Sequence, residues 1–78
     1  MSVKAYVLVV TDTAKTQGVV RQMRAVPGIA EAYRIMGPYD IVAVLDVEDL
    51  SDIQVVLREN IRRIDGVEST LTCVVIPT

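Results

Sequence analysis

An α+β domain of β-α-β-β-α-β order is predicted by three features of the sequence. Val26-Pro27-Gly28-Ile29-Ala30-Glu31-Ala32 is echoed 38 positions later by Ile64-Asp65-Gly66-Val67-Glu68-Ser69-Thr70. A stretch with helical periodicity precedes each copy and a strand-like stretch follows it, so both copies read as helix-to-strand hand-offs. Glycine suits that place, where a left-handed residue closes the last helical turn and aims the chain into a strand. The length is the third feature: 78 residues hold two β-α-β halves in a single domain, 1–78, and little else.

The first strand is Lys4 to Thr11, apolar at both alternating sets of positions. Asp12 or Thr13 then offers a helix cap, and Ala14 to Ala25 follows as a helix with Val19, Val20, Met23 and Val26 at helical spacing. Gly18 weakens its early turns by about 1 kcal/mol relative to alanine. Pro27-Gly28 stops it. Ile29 to Met36 is a second, more polar strand, suited to a sheet edge, and Gly37-Pro38-Tyr39-Asp40 is a tight turn in which Pro38 pre-sets the backbone. Ile41 to Val47 is a third strand, again apolar on both faces. Asp49 caps the second helix, with Asp52 three residues on in capping-box spacing. Leu50, Ile53, Leu57, Ile61 and Ile64 form its core stripe, Gly66 ends it, and Val67 to Ile76 is the last strand.

Short connections and right-handed crossovers turn this order into a ferredoxin-like plait: a four-stranded antiparallel sheet, first and third strands central, both helices on one face. Those helices can cover only one face. In the first strand Tyr6, Leu8 and Val10 oppose Ala5, Val7 and Val9; in the third, Val42 and Val44 oppose Ile41, Ala43 and Leu45. A water-facing sheet surface alternates apolar with polar, and neither strand does. The second apolar face is therefore expected to meet a second copy about a two-fold axis, giving a dimer through the sheet face.

Composition agrees. The chain is 51% apolar and 23% charged, with a mean hydropathy of +0.41, although a domain this small buries only about 60% of its unfolded surface. No apolar run approaches a membrane span, Met1-Ser2-Val3 leaves no room for a signal peptide, and the expected location is the cytoplasm. Net charge is −2. Arg58, Arg62 and Arg63 cluster at a helix C-terminus, where they complement the dipole and stay solvated, so no nucleic-acid face is expected. The lone Cys73 excludes an internal disulfide and is expected as a buried, inert thiol.

Several chemistries are missing. Without histidine there is no Ser-His or Cys-His nucleophile pair, and no Cys/His cluster supports a metal site. No glycine-rich phosphate loop is present, and the central strands carry a single aromatic, Tyr6, where an RNA-binding plait needs several for stacking. No cofactor is expected, and no catalytic function. A small ferredoxin-like (αβ-barrel) enzyme working through Tyr, Asp or Arg is the alternative, as is an assembly subunit that binds nothing.

One constellation remains. In Gly37-Pro38-Tyr39-Asp40 a turn carries an aromatic ring and a carboxylate together. Asp40 can bond backbone amides while Tyr39 packs at the rim, which is a turn and nothing more. It can also pair with a ligand ammonium, with Tyr39 as a pocket wall. Thr70 and Thr72 share one face of the last strand and offer hydroxyls, or serve only as β-branched strand residues.

The Gly-x-Tyr-Asp turn, the apolar strand after it, and the later Gly66-Val67-Glu68-Ser69-Thr70-Leu71-Thr72 resemble the effector-binding domain of the Lrp/AsnC family, also called RAM. The resemblance covers nearly the whole chain and fits this turn better than the ACT domain, another amino-acid-binding plait. It implies a dimer through the sheet face that assembles further, often into a ring of dimers, with amino acids or similar small metabolites bound between dimers. Gly37 and Tyr39 would then give backbone contacts and a wall, Asp40 would hold the turn or the ligand amine, and Thr70 or Thr72 would add contacts. Pro38 removes one amide donor from that turn. The usual member carries an N-terminal helix-turn-helix; this sequence reaches its first strand at once, so the expected role is a sensor without its own DNA-binding part, partnered by full-length Lrp/AsnC regulators.

Overall fold

The computed structural model describes residues 2–77. Its strands are β1 (Val3–Thr11), β2 (Ile29–Arg34), β3 (Ile41–Val47) and β4 (Val67–Val74). They form one antiparallel sheet in the order β2-β3-β1-β4, with β1 and β3 central. This is the ferredoxin-like plait expected from the sequence. β2 stops two residues short of Met36 and β4 two short of Ile76.

Helix α1 (Thr16–Arg24) is entered through a 3-10 turn, Thr13–Lys15. Asp12 is the cap: its carboxylate accepts the Ala14 amide at 3.1 Å. The second helix is less regular than its stripe suggests. α2 (Leu50–Val55) passes into a π-helical turn, Val56–Asn60, and a 3-10 turn, Ile61–Arg63. At its start the Asp52 carboxylate accepts the Asp49 amide at 3.1 Å. The wider π turn brings adjacent Val56 and Leu57 both into the core. Leu50 departs from the expected core stripe. It is 58% exposed at the first position of α2.

The repeat is visible in three dimensions. Val26–Ile29 and Ile64–Val67 are turns closed by amide-to-carbonyl bonds of 3.2 Å each. Gly28 (φ 97°) and Gly66 (φ 105°) are third in these turns, the place that demands a positive φ in a type II turn. Both therefore lie in a turn just beyond the helix rather than at its last residue. Each glycine carbonyl then accepts a strand-end amide at 2.9 Å, from Asp46 and Asp12 respectively. A Cβ on Gly66 would stand 2.8 Å from the Lys15 Cβ, so side-chain volume is barred there as well.

Ala5, Val7 and Val9 of β1 and Ile41, Ala43 and Leu45 of β3 face the helices and are fully buried, closing the core with Val19, Val20, Met23 and Ile61. The opposite face has no cover among the described residues. Register lines up Tyr33, Val42, Leu8 and Leu71 in one row across all four strands, and Val44, Tyr6 and Cys73 in the next. Tyr6, Tyr33 and Leu71 are each about half exposed. Cys73 belongs to this face and is exposed, not buried as expected, because its parity on β4 sets it beside Tyr6 and away from the helices.

Candidate functional site

The turn between β2 and β3 is anchored by its carboxylate. Oδ2 of Asp40 accepts the backbone amide of Thr11 at 2.8 Å, while the Asp40 amide donates to the Val9 carbonyl at 2.9 Å. The Asp40 carbonyl accepts the Ile35 amide, also at 2.9 Å, closing the loop's neck. Of the roles open to Asp40, holding the turn is the one seen in the protomer. The Thr11 hydroxyl is itself buried against that of Thr16 at 2.6 Å, so the anchor reaches α1. Above this base Gly37 and Pro38 are exposed and Tyr39 is half-buried. A Cβ on Gly37 would meet nothing within 4 Å, so packing within the protomer does not require glycine there. Met36, beside it, is fully exposed and Ile35 is 38% exposed.

Thr70 and Thr72 pair with Val9 and Val7, which places them on the helix-facing side of β4. Both are half-buried. They form one wall of a half-open groove of about 550 Å³ between β4 and the helical segment 50–63. Leu50, Ile53 and Leu57 line the groove from the helical side and Val74 from the strand. Gln54, Arg58 and Arg62 supply the polar side chains. Its lining holds two arginines and no Asp or Glu.

The expected site residues thus fall into two groups. Val9 touches both, bonding Asp40 on one side and pairing with Thr70 on the other. The turn and Thr70 therefore flank β1 on opposite sides at one end of the sheet, and the groove runs on from Thr70 to Val74, opposite Ala5. Gly37, Tyr39 and Asp40 do not line the groove. Reasoning from sequence missed the contribution of Gln54, Arg58 and Arg62. Their signal was present: each directly follows a core residue (Ile53, Leu57, Ile61), so the three form an i, i+4, i+8 row flanking the stripe. All three remain exposed, as expected for the arginines, and Arg58 contacts Glu59 at 3.2 Å in a surface pair.

Elsewhere among the described residues, two groups are electrostatically perturbed. The Lys15 ammonium donates to Asp65 at 2.9 Å, which raises its pKa. The Tyr33 hydroxyl donates to Glu31 at 2.6 Å on the open sheet face, which raises the phenol's. Among the described residues no cluster of His, Cys, Asp and Glu is placed to hold a metal, and no helix is long and apolar enough to cross a membrane.

Known proteins resemble this chain in sequence or in fold. Homocitrate synthase of Sulfurisphaera tokodaii is 38% identical over 61 residues, 78% of this chain but only 13% of that protein's length. A crystal structure of a Thermus thermophilus protein superposes with a TM-score of 0.94 at 29% identity, covering 97% of this chain and 95% of that one. A transcriptional regulator of Neisseria meningitidis, solved in complex with L-Met, shares the fold: the TM-score is 0.85 at 14% identity, over 96% of this chain and 50% of the regulator. The model of the Lrp/AsnC ligand binding domain matches residues 4–78, and the chain belongs to that family.

Proposed function

We propose that this domain is an oligomeric sensor of amino acids or closely similar metabolites, acting through ligand-dependent assembly. The observation that carries this reading is the division of its site. The turn Gly37–Asp40 and the groove holding Thr70 and Thr72 sit on opposite sides of β1, and each leaves apolar surface uncovered. Met36 stands clear of the protomer beside the turn, and Leu50 stands over the groove. A turn from one copy set against the groove of another would cover both and enclose a ligand between Tyr39 and the threonines. Gly37, bare of side chain, leaves its backbone open to that ligand.

A second copy also suits the open sheet face. Its apolar rows are central, and a two-fold axis brings like against like. Dimers formed there would leave turns and grooves free to build a ring of dimers. A ligand at the later interface shifts the equilibrium toward whichever assembly binds it better. Co-assembly with a full-length Lrp/AsnC regulator would carry that shift to a promoter. The match inside homocitrate synthase favours a second setting, the same module regulating an enzyme to which it is joined.

The test is a thermal-shift screen against the twenty amino acids beside light scattering. A stabilising ligand that also changes the mass supports the reading. A monomer unresponsive to every amino acid overturns it.

A further inference from the structure

The α2–β4 groove has a polarity that narrows its ligand. Its floor is aliphatic, from buried Ile53 and Leu57 with exposed Leu50 at the rim, while Arg58 and Arg62 stand along the same helical segment. The whole chain has ten acidic residues against eight basic, yet no acidic residue lines this groove. A cavity of about 550 Å³ lies within the usual range for small-molecule sites, too small for a folded partner. Among the described residues Arg58 is held elsewhere by a single exposed contact to Glu59, and exposed pairs of this kind are weak enough to exchange.

An α-amino acid offers three things to read: a carboxylate, a side chain and an ammonium. Two guanidinium groups match the carboxylate, since charge-assisted bonds from arginine are the strongest a small site can offer. The aliphatic floor matches an apolar side chain. Nothing anionic in the groove matches the ammonium. Asp40 does not line the groove of its own protomer, and in a turn brought by another copy its Oδ2 would still accept that copy's own Thr11 amide, which ties the carboxylate back to its turn. The Thr70 and Thr72 hydroxyls donate as readily as they accept, so they serve a keto oxygen as well as an amine.

We infer that the groove is a site for small apolar monocarboxylates, read by carboxylate and side chain, so that a 2-oxo acid occupies it as well as the amino acid of the same skeleton. This rests on the ligand-sensing role proposed above and specifies its chemistry. The state of the module then follows the summed pool of an apolar amino acid and its oxo acid, two species interconverted by transamination.

Isothermal titration of the full chain with matched triplets tests this. One triplet is leucine, 4-methyl-2-oxopentanoate and leucine amide; valine, isoleucine, methionine and phenylalanine supply the others. In at least one triplet the amino acid and the oxo acid bind with comparable affinity, and the amide loses about tenfold or more with its carboxylate. Arg58→Gln and Arg62→Gln each weaken both acids by about tenfold and leave residual amide binding unchanged, which a merely structural role would not do. Unaltered melting of the ligand-free variants shows that they fold, and Arg58→Lys restores part of the loss. Amides binding as well as acids overturn the inference. So do amino acids binding where oxo acids fail, but that result leaves amino-acid sensing intact. Silence from every apolar triplet also overturns it, and a polar amino acid that still shifts the assembly would again spare the sensing role.

Discussion

The two faces of the sheet carry nearly the same kinds of residue and meet opposite fates. On the helix side Ala5, Val7, Val9, Ile41, Ala43 and Leu45 are fully buried. On the other side Leu8, Val10, Val42 and Val44 are only half-buried, and Tyr6, Tyr33 and Leu71 remain about half exposed. Apolar character shows that a strand position is to be covered, not which chain covers it. Two helices of this length shield one face of four strands, so burial of the second face would require another chain.

Substitutions sharpen that contrast, beginning with the covered face. Leu45→Ala should cost about 2–5 kcal/mol in urea denaturation, the range for a core leucine cut back without collapse around it. A loss below about 1 kcal/mol would mean the two faces are not distinct. Gly66→Ala comes next, at about 1–3 kcal/mol, because φ is 105° and the new Cβ would meet Lys15. Its control is Gly18→Ala, in open space on α1, which should stabilise by about 0.4–1 kcal/mol. Asp40→Ala leaves the part-buried Thr11 amide without its acceptor and should cost about 1–3 kcal/mol in the same assay.

The open face should answer differently. Leu71→Ser should change the stability of a dilute protomer by less than about 0.5 kcal/mol, as for an ordinary surface position. Its effect should appear in light scattering as a lower mass at equal concentration. An unchanged mass would take Leu71 out of the contact. The smallest effect is a titration on that face. Tyr33 should ionise above the usual tyrosine range, because its hydroxyl donates to Glu31 and the phenolate would sit beside that carboxylate. The folded state thus holds this proton more tightly, so the pair's contribution is present below the ordinary phenol pKa and lost as pH rises through the raised one. Phenolate absorbance should show the shift, and Glu31→Gln should reduce it.

Most of the architecture was legible because it depends on local signals. The repeat at Gly28 and Gly66 marked both helix-to-strand turns, and the central strands followed from nearly continuous apolar runs. The misses share one cause. Leu50 has the right spacing for the stripe, but spacing does not show how closely the sheet approaches each turn of the helix. The π turn at Val56–Asn60 has no compositional mark, because leucine, valine and arginine suit either kind of helix. Cys73 was assigned by its residue type, whereas its exposure depends on strand parity in a paired sheet. Gly37, Tyr39, Asp40, Thr70 and Thr72 were identifiable as two motifs. That they lie on opposite sides of β1 depends on strand order, a long-range property.

By itself, then, the sequence determined the order of the elements, the two glycine turns and the presence of two apolar sheet faces, since each is written in residues a few positions apart. Only the tertiary structure decided which face the helices cover, that Asp40 is tied to Thr11, and that Arg58 and Arg62 share a groove with Thr70 and Thr72. Asp40 and Thr11 alone are 29 positions apart, and the groove's two walls meet only when β1 is paired on both sides. No local pattern encodes such a meeting, because it depends on the register of strands that are strangers in the chain.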